Sequence, residues 1–196
     1  MNIHYVYPGS FCPPTLGHLR ILQRSAEMFP KAIIICSSND NKADRWFSEE
    51  ECAKMWHSYH LPPNVLVLTL DEFITDHKKD GKVIIIRGIR QSDDYEYEKS
   101  VMKINHERFG IDTYVYFIAE DGYRSISSSA VRDEVSLHFN LKDLHNLVSP
   151  LVISRLIEKT LGFDNIFMVV GKPGSGKTTF LKMLSGLDPG HVFIET

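Results

Sequence analysis

Apolar residues along this chain fall into short, nearly unbroken runs, separated by longer stretches with helical spacing. Residues 3–7, 32–36, 65–70, 83–86 and 113–118 are apolar almost throughout. Such runs predict strands covered on both faces, as in a parallel sheet. Between them, Leu19, Leu22, Ala26 and Phe29 share one helical face, and Tyr97, Val101 and Ile104 share another. Ser48 followed by Glu51 predicts a capping box at the start of a helix. Ser149 before Pro150 predicts a further helix running to about residue 161. Alternating strand and helix signals of this length predict an α/β fold with right-handed crossovers, a doubly wound parallel sheet of Rossmann-like form. Ligands of such sheets lie at the carboxyl ends of the strands.

The pattern restarts near Phe163. A strand is expected over 165–170, then a glycine-rich loop, a helix over 178–185 ended by Gly186, and a strand over 191–195. The expected organisation is therefore a domain over 1–161 and a short β–loop–α–β extension over 162–196.

Bulk composition narrows the class. A hydrophobic content of 43% in 196 residues suits a globular core, and a net charge of −3 argues against non-specific nucleic-acid binding. No apolar run approaches the ~20 residues of a membrane span. The start, Met-Asn-Ile-His, lacks the basic and apolar regions of a signal peptide. Three cysteines, Cys12, Cys36 and Cys52, occur without a C-x-x-C pair. They read as free thiols in a reducing compartment, so a cytoplasmic setting without membrane or nucleic-acid partners is expected.

The chemistry gathers after the strands. Tyr7-Pro-Gly-Ser-Phe-Cys-Pro-Pro-Thr-Leu-Gly-His18 joins the first strand to the first helix. Gly9 and Gly17 lack a Cβ and are expected to let a nucleotide approach the backbone. Ser10 and Thr15 offer hydroxyls, and His18 stands where the helix begins. A capping histidine is the plain alternative for His18. Arg87-Gly-Ile-Arg90 follows the fourth apolar run, and its two guanidinium forks suit phosphate groups. Asp93 and Asp94 suit a helix start, while Glu98 lies deeper and can accept from a ribose or an ammonium. Ile126-Ser-Ser-Ser129 opens another helix with more hydroxyls than a cap requires. Lys42 lies in a polar loop after the second run. Basic groups and neutral donors without a paired-carboxylate or metal cluster make a site that stabilises phosphate charge.

Taken in order and spacing, Tyr7-Pro-Gly-Ser-Phe, Pro14-Thr-Leu-Gly-His18, Arg87-Gly-Ile-Arg90, Asp94-Tyr-Glu-Tyr-Glu98 and Ile126-Ser-Ser-Ser129 resemble the bacterial phosphopantetheine adenylyltransferases. These belong to the nucleotidyltransferase superfamily marked by T/H-x-G-H, and the resemblance covers residues 3 to about 160. It implies adenylyl transfer from ATP, carried with Mg²⁺, to 4′-phosphopantetheine, giving dephospho-coenzyme A and pyrophosphate. It implies that His18 stabilises the α-phosphorus in flight. Ser10, Lys42, Phe73, Ile74 and Arg87 would bind the acceptor. ATP would meet Ser10, Phe11, His18, Gly88, Ile89, Arg90 and Glu98, then Tyr123, Arg124, Ser125, Ile126, Ser127, Ser128 and Ser129. It also implies a homo-oligomer, a hexamer in the family. Another phosphate acceptor, such as nicotinamide mononucleotide, and a non-catalytic nucleotide-binding module are the competing readings. The sequence departs from the family pattern at Cys12, where an Asp is usual, and at Cys52, where an Arg is usual. The loop holding Lys42 is displaced by about one residue.

Gly171-Lys-Pro-Gly-Ser-Gly-Lys-Thr178 fits G-x-x-x-x-G-K-[ST]. Gly171, Gly174, Ser175 and Gly176 would cradle phosphates, Lys177 would reach their outer oxygens, and Thr178 would hold Mg²⁺. Residues 162–196 are too few for a complete P-loop core. The order resembles coenzyme A synthases, in which a kinase unit follows the transferase, and the run from Lys177 also resembles transporter-type ATPases.

Overall fold

The computed structural model describes residues 2–37, 46–76, 81–137 and 141–161, together with 172, 174 and 176–178. Five strands form one parallel sheet: β1 (Asn2–Gly9), β2 (Ala32–Cys36), β3 (Val65–Thr69), β4 (Gly81–Ile89) and β5 (Tyr114–Ile118). Among the described residues these helices accompany them: α1 (Leu16–Met28), α2 (Glu49–Trp56), α3 (Leu70–Asp76), α4 (Ser92–Phe109), α5 (Ser128–Leu137), α6 (Leu141–Leu144) and α7 (Pro150–Leu161). A 3-10 turn, Asp121–Tyr123, follows β5.

The strand order is β3-β2-β1-β4-β5. The chain works outward from β1 to β3, then crosses to the other side of β1 and continues outward to β5. The crevice between the carboxyl ends of β1 and β4 is therefore the topological switch point, where doubly wound sheets take their ligands. The register places Val6 beside Ile33 and beside Ile85, so the three central strands run level.

Alternation along the strands sorts side chains to the two faces. Tyr7, Ala32, Ile34, Cys36 and Ile86 join the larger core with Leu22 of α1, Cys52, Met55 and Trp56 of α2, Val131 of α5, and Val152 and Leu156 of α7. Val6, Ile33, Ile35 and Ile85 form a smaller core on the opposite face with Phe73 of α3. β2 is buried along its whole length, which accounts for its unbroken apolar run.

The expected elements are found with shifted ends. β4 runs three residues beyond its apolar stretch, into Arg87, Gly88 and Ile89, because the backbone keeps pairing with β5 there. β3 ends one residue early. Thr69 turns the chain straight into α3, with Glu72 accepting from the Thr69 backbone N–H at 2.7 Å and from its hydroxyl at 2.9 Å. The Ser48–Glu51 capping box forms, with the Ser48 N–H on Glu51 Oε2 at 2.6 Å and the Glu51 N–H on Ser48 Oγ at 3.2 Å. Ser149 caps α7 by accepting from the Val152 N–H at 3.4 Å. On α4 the predicted stripe does not enter a core: Tyr97 and Ile104 are exposed. The expected strands over 165–170 and 191–195 and most of the helix over 178–185 lie outside the described residues.

Candidate active site

The loop between β1 and α1 carries most of the geometry. Phe11 adopts φ 42°, a left-handed conformation unusual for a bulky residue. This turns its ring back over Gly9, where a Cβ would stand 2.9 Å from Phe11 Cζ. The ring meets Tyr7, His18 and Trp56 edge-on, with centroids 5.2, 5.1 and 5.1 Å away. The missing Cβ of Gly17 serves packing as well: one built there would lie 2.8 Å from the Ile126 carbonyl oxygen. The expectation that these two glycines open the backbone to a nucleotide is thus corrected. Both spaces are filled by the protein itself.

Pro13 and Pro14 contribute carbonyls without N–H groups, and the fold supplies donors to three successive carbonyls. Arg132 of α5 donates to Cys12 O, the Ser128 hydroxyl donates to Pro13 O at 2.8 Å, and the Tyr59 hydroxyl donates to Pro14 O at 2.8 Å. Each buried acceptor is met by a different side chain, which holds the loop in one shape. The Leu16 N–H, at the start of α1, donates to Leu147 O at 2.8 Å.

His18 both caps and remains available. Thr15 is the N-cap of α1 and His18 is its third helical residue. The Thr15 N–H donates to His18 Nδ1 at 3.2 Å, and the His18 N–H donates to Thr15 Oγ1 at 3.4 Å. The Thr15 hydroxyl lies 3.0 Å from the same Nδ1. This is a capping box with imidazole in the usual Glu position. Since Nδ1 accepts a backbone N–H, the neutral ring carries its proton on Nε2. Burial, followed by the nearby Arg90 and Arg87 charges, pushes the imidazole down to about 3. His18 is therefore a neutral ring with one N–H donor held in fixed orientation.

Arg87 and Glu98 form a buried pair across β4 and α4. Arg87 Nε donates to both Glu98 oxygens at 2.9 Å, Nη2 donates to Oε1 at 2.5 Å, and Nη1 donates to Pro8 O at 2.9 Å. Glu98 is 4% exposed, the most buried charged residue among those described. Its carboxylate is thus committed to Arg87 rather than standing alone. Arg90 is exposed at the end of β4, 3.5 Å from Asp94, whose carboxylate also takes the Arg90 N–H at 2.8 Å. Gly88 lies against α1, where a Cβ would meet Ile21 at 3.1 Å.

The serines divide their work. Ser127 Oγ accepts from the Ala130 N–H at 3.1 Å and lies 3.0 Å from Ser129 Oγ. Ser128 latches the Pro13 carbonyl, and Ser129 is exposed at the helix start. Tyr123 and buried Ile126 support this turn, with Arg124 and Ser125 exposed beside it. Ser10 is half-buried at the end of β1 and Ile89 half-buried near the end of β4. Phe73 is buried in the smaller core, edge-on to His4 with centroids 6.0 Å apart, while neighbouring Ile74 is exposed. Lys42, Gly171 and Ser175 lie outside the described residues. Gly174 and Gly176 have φ of 78° and 86°, and Lys177 Nζ donates to Lys172 O at 3.0 Å.

The structure thus collects Ser10, Phe11, His18, Arg87, Arg90 and the α5 start around one sheet end. Two contributors carried no signal in the sequence: Arg132 and Tyr59 act through long-range contacts with carbonyls of this loop. Thr15 carried one, since T-x-x-H is a capping-box spacing. The donors suit phosphate oxygens. Among the described residues, no group of three or more His, Cys, Asp or Glu is arranged to hold a metal ion. No described helix is long and apolar enough to cross a membrane.

The chain is similar to several known proteins. The phosphopantetheine adenylyltransferase of Aquifex aeolicus is 37% identical over 161 residues, covering 81% of this chain and 97% of its own length. That of Petrotoga mobilis is 33% identical over 156 residues, covering 79% and 94%. The Plasmodium falciparum nicotinic acid mononucleotide adenylyltransferase complexed with NaAD superposes with a TM-score of 0.58 at 15% identity, over 82% of this chain and 97% of its own. At that identity it speaks for the fold. A family model described as cytidylyltransferase-like matches residues 6–134, from the middle of β1 into α5. That span includes the Phe11 loop and the serine turn, and the chain belongs to the cytidylyltransferase-like nucleotidyltransferases.

Proposed function

We propose that this chain joins ATP to 4′-phosphopantetheine, forming dephospho-coenzyme A and releasing pyrophosphate. The observation that carries the reading is the neutral His18 ring, fixed through Nδ1 with Nε2–H left to donate, at the switch point beside Arg87 and Arg90. The identity of 37% to a phosphopantetheine adenylyltransferase over 161 residues supports the choice of acceptor.

In this reading an oxygen of the acceptor phosphate attacks the α-phosphorus of ATP. The new P–O bond forms as the bond to the bridging oxygen breaks, and pyrophosphate leaves. A phosphate monoester is largely a dianion near pH 7, its second pKa being about 6, so no general base is required. His18 Nε2–H donates to an α-phosphate oxygen where charge accumulates, and its fixed tautomer avoids reorganisation. Ser10 and Arg87 hold the acceptor phosphate, with Lys42 and Ile74 assigned to the acceptor. Arg90 and the Tyr123 to Ser129 turn hold the triphosphate. Glu98 positions Arg87. Mg²⁺ travels on the triphosphate and neutralises its charge, since the donor set here suits oxygen anions rather than a cation. A homo-oligomer working in the cytoplasm belongs to the same proposal.

The test is pyrophosphate release from ATP and Mg²⁺ with each acceptor separately. Release with 4′-phosphopantetheine is expected. Release only with nicotinamide mononucleotide would move the assignment to that acceptor, and none with either would leave a binding module. Under the proposal, His18→Ala lowers turnover ~10²–10³-fold, the scale of losing one transition-state donor. Turnover within a few-fold of wild type would remove His18 from the central role.

A further inference from the structure

Among the described residues, the Tyr116 hydroxyl on β5 is covered and has no hydrogen-bond partner. An unpaired buried hydroxyl costs stability, so its presence calls for a use. Register and alternation place it beside Arg87. Ile85 of β4 pairs with Tyr114 of β5, and Arg87 pairs with Tyr116. Ile85 and Tyr114 both pack at the smaller core. Two residues further along each strand, Arg87 and Tyr116 point to that same face. The Tyr114 and Tyr116 rings stack accordingly, with centroids 6.1 Å apart and 11° between planes. Neighbouring strands lie about 4.8 Å apart, so the Arg87 and Tyr116 side chains stand side by side.

Helix α4 lies over this face. Asn105 Nδ2 donates to the Tyr114 hydroxyl at 3.0 Å. Glu98, about two helical turns earlier, bonds Arg87. As Asn105 sits at the level of Tyr114, Glu98 sits at the level of Arg87 and Tyr116. Burial pushes the Tyr116 phenol up to about 12, with the Glu98 charge next in effect and Arg87 opposing. The ring keeps its proton and stands as a donor.

The hydrogen-bond count leaves a place for that donor. Glu98 Oε1 receives both Nε and Nη2 of Arg87, while Oε2 receives Nε alone. Each carboxylate oxygen has about two acceptor positions, so Oε2 keeps one. A phosphate drawn to Arg87 competes with Glu98 for the same guanidinium. As the guanidinium turns to the phosphate, the buried carboxylate loses donors, which is costly unless another group replaces them.

We propose that Tyr116 is a positioning residue for acceptor binding, its hydroxyl taking over the Glu98 carboxylate as Arg87 turns to the acceptor phosphate. This rests on the reading of Arg87 as the group that holds that phosphate. Glu98 is then paired in both states, and Arg87 passes between two anions without leaving the buried one bare. The hydroxyl that is idle in the unliganded protein is the group that makes the bound arrangement accessible.

The test compares the full wild-type chain with Tyr116→Phe, which removes the hydroxyl alone. Without ligand, the urea midpoint should be unchanged or higher, since no hydrogen bond is lost. Calorimetric titration with 4′-phosphopantetheine should show binding weakened about tenfold, the scale of one hydrogen bond to a charged group. ATP binding should be unchanged, and in turnover the loss should fall on the acceptor KM and leave kcat within about twofold. In a Glu98→Gln background, Tyr116→Phe should weaken acceptor binding much less, because the carboxylate that it serves is gone. An undiminished loss in that background would mean that Tyr116 meets the acceptor itself, and would overturn the proposal. A lower urea midpoint for unliganded Tyr116→Phe, or acceptor binding equal to wild type, would overturn it as well. The same titrations with nicotinamide mononucleotide separate this proposal from the identity of the acceptor. If wild type binds only that ligand, the acceptor assignment moves and the Tyr116 effect is read there. If wild type binds neither, both readings fall.

Discussion

His18 shows how one residue serves two needs. Its backbone and Nδ1 complete the cap of α1, which leaves Nε2–H as a donor of fixed direction. Burial and the two arginines keep the ring neutral well below its ordinary range. The His18 ring signals should therefore stay constant between pH 5 and pH 8 in NMR, while an exposed histidine titrates across that window. Glu98 presents a second residue-scale case. It is buried and bound at three contacts to Arg87, which is itself largely covered. Glu98→Ala would leave the guanidinium covered without its counter-charge. The expected cost is about 3 kcal/mol of stability, measured by urea denaturation. Glu98→Gln should recover part of it by keeping an acceptor.

Among the elements, the close approach of α1 to the turn before α5 sets the site's width. Gly17 makes that approach possible, since a Cβ would stand 2.8 Å from the Ile126 carbonyl oxygen. Neither side can yield easily, because both are backbone. Gly17→Ala should cost about 1–3 kcal/mol, read as a lower thermal midpoint, and should weaken ATP binding by spreading His18 from the serine turn. The same approach explains why three serines occur in a row. One caps α5, one ties it to Pro13, and one is left at the exposed helix start. The S-x-x-E spacing was legible as a cap because it is local, whereas the pairing of Thr15 with the His18 ring came only with the structure. The Tyr97 and Ile104 stripe on α4 was legible as a helix but not as a surface, since helical spacing does not say what will cover it.

For the whole molecule, His18 and Cys12 pull stability in the same direction with pH. Below its ordinary pKa of 6.5, His18 is protonated in the unfolded chain but neutral in the folded one until about pH 3. The unfolded state then binds more protons, so stability falls as pH drops from 6.5. Cys12 is a thiolate in the folded chain above about 6, while the unfolded thiol keeps its proton to about 9.0. That contributes stability which grows from pH 6 toward pH 9 and is lost as pH falls through 6. Wild type should lose more stability between pH 7 and pH 5 than His18→Gln does, as measured by urea midpoints at the two values. Equal losses would show that the His18 environment is not the source.

The sequence by itself determined the order of strands and helices, the caps, and the types of donor that follow each strand. These depend on neighbours within a few positions, through side-chain alternation, helical spacing and local hydrogen bonds. It did not determine which glycine spaces would be filled, because the Phe11 ring over Gly9 depends on a strained backbone angle. Nor did it show that Arg132, Ser128 and Tyr59 would meet three successive carbonyls of one loop. Only the sheet order β3-β2-β1-β4-β5 brought β1, β4 and the α5 start to one end. Contacts between residues far apart in the chain are decided by the closing of the fold. A pattern read along the chain carries the chemistry of the groups, and their meeting is a property of the packed molecule.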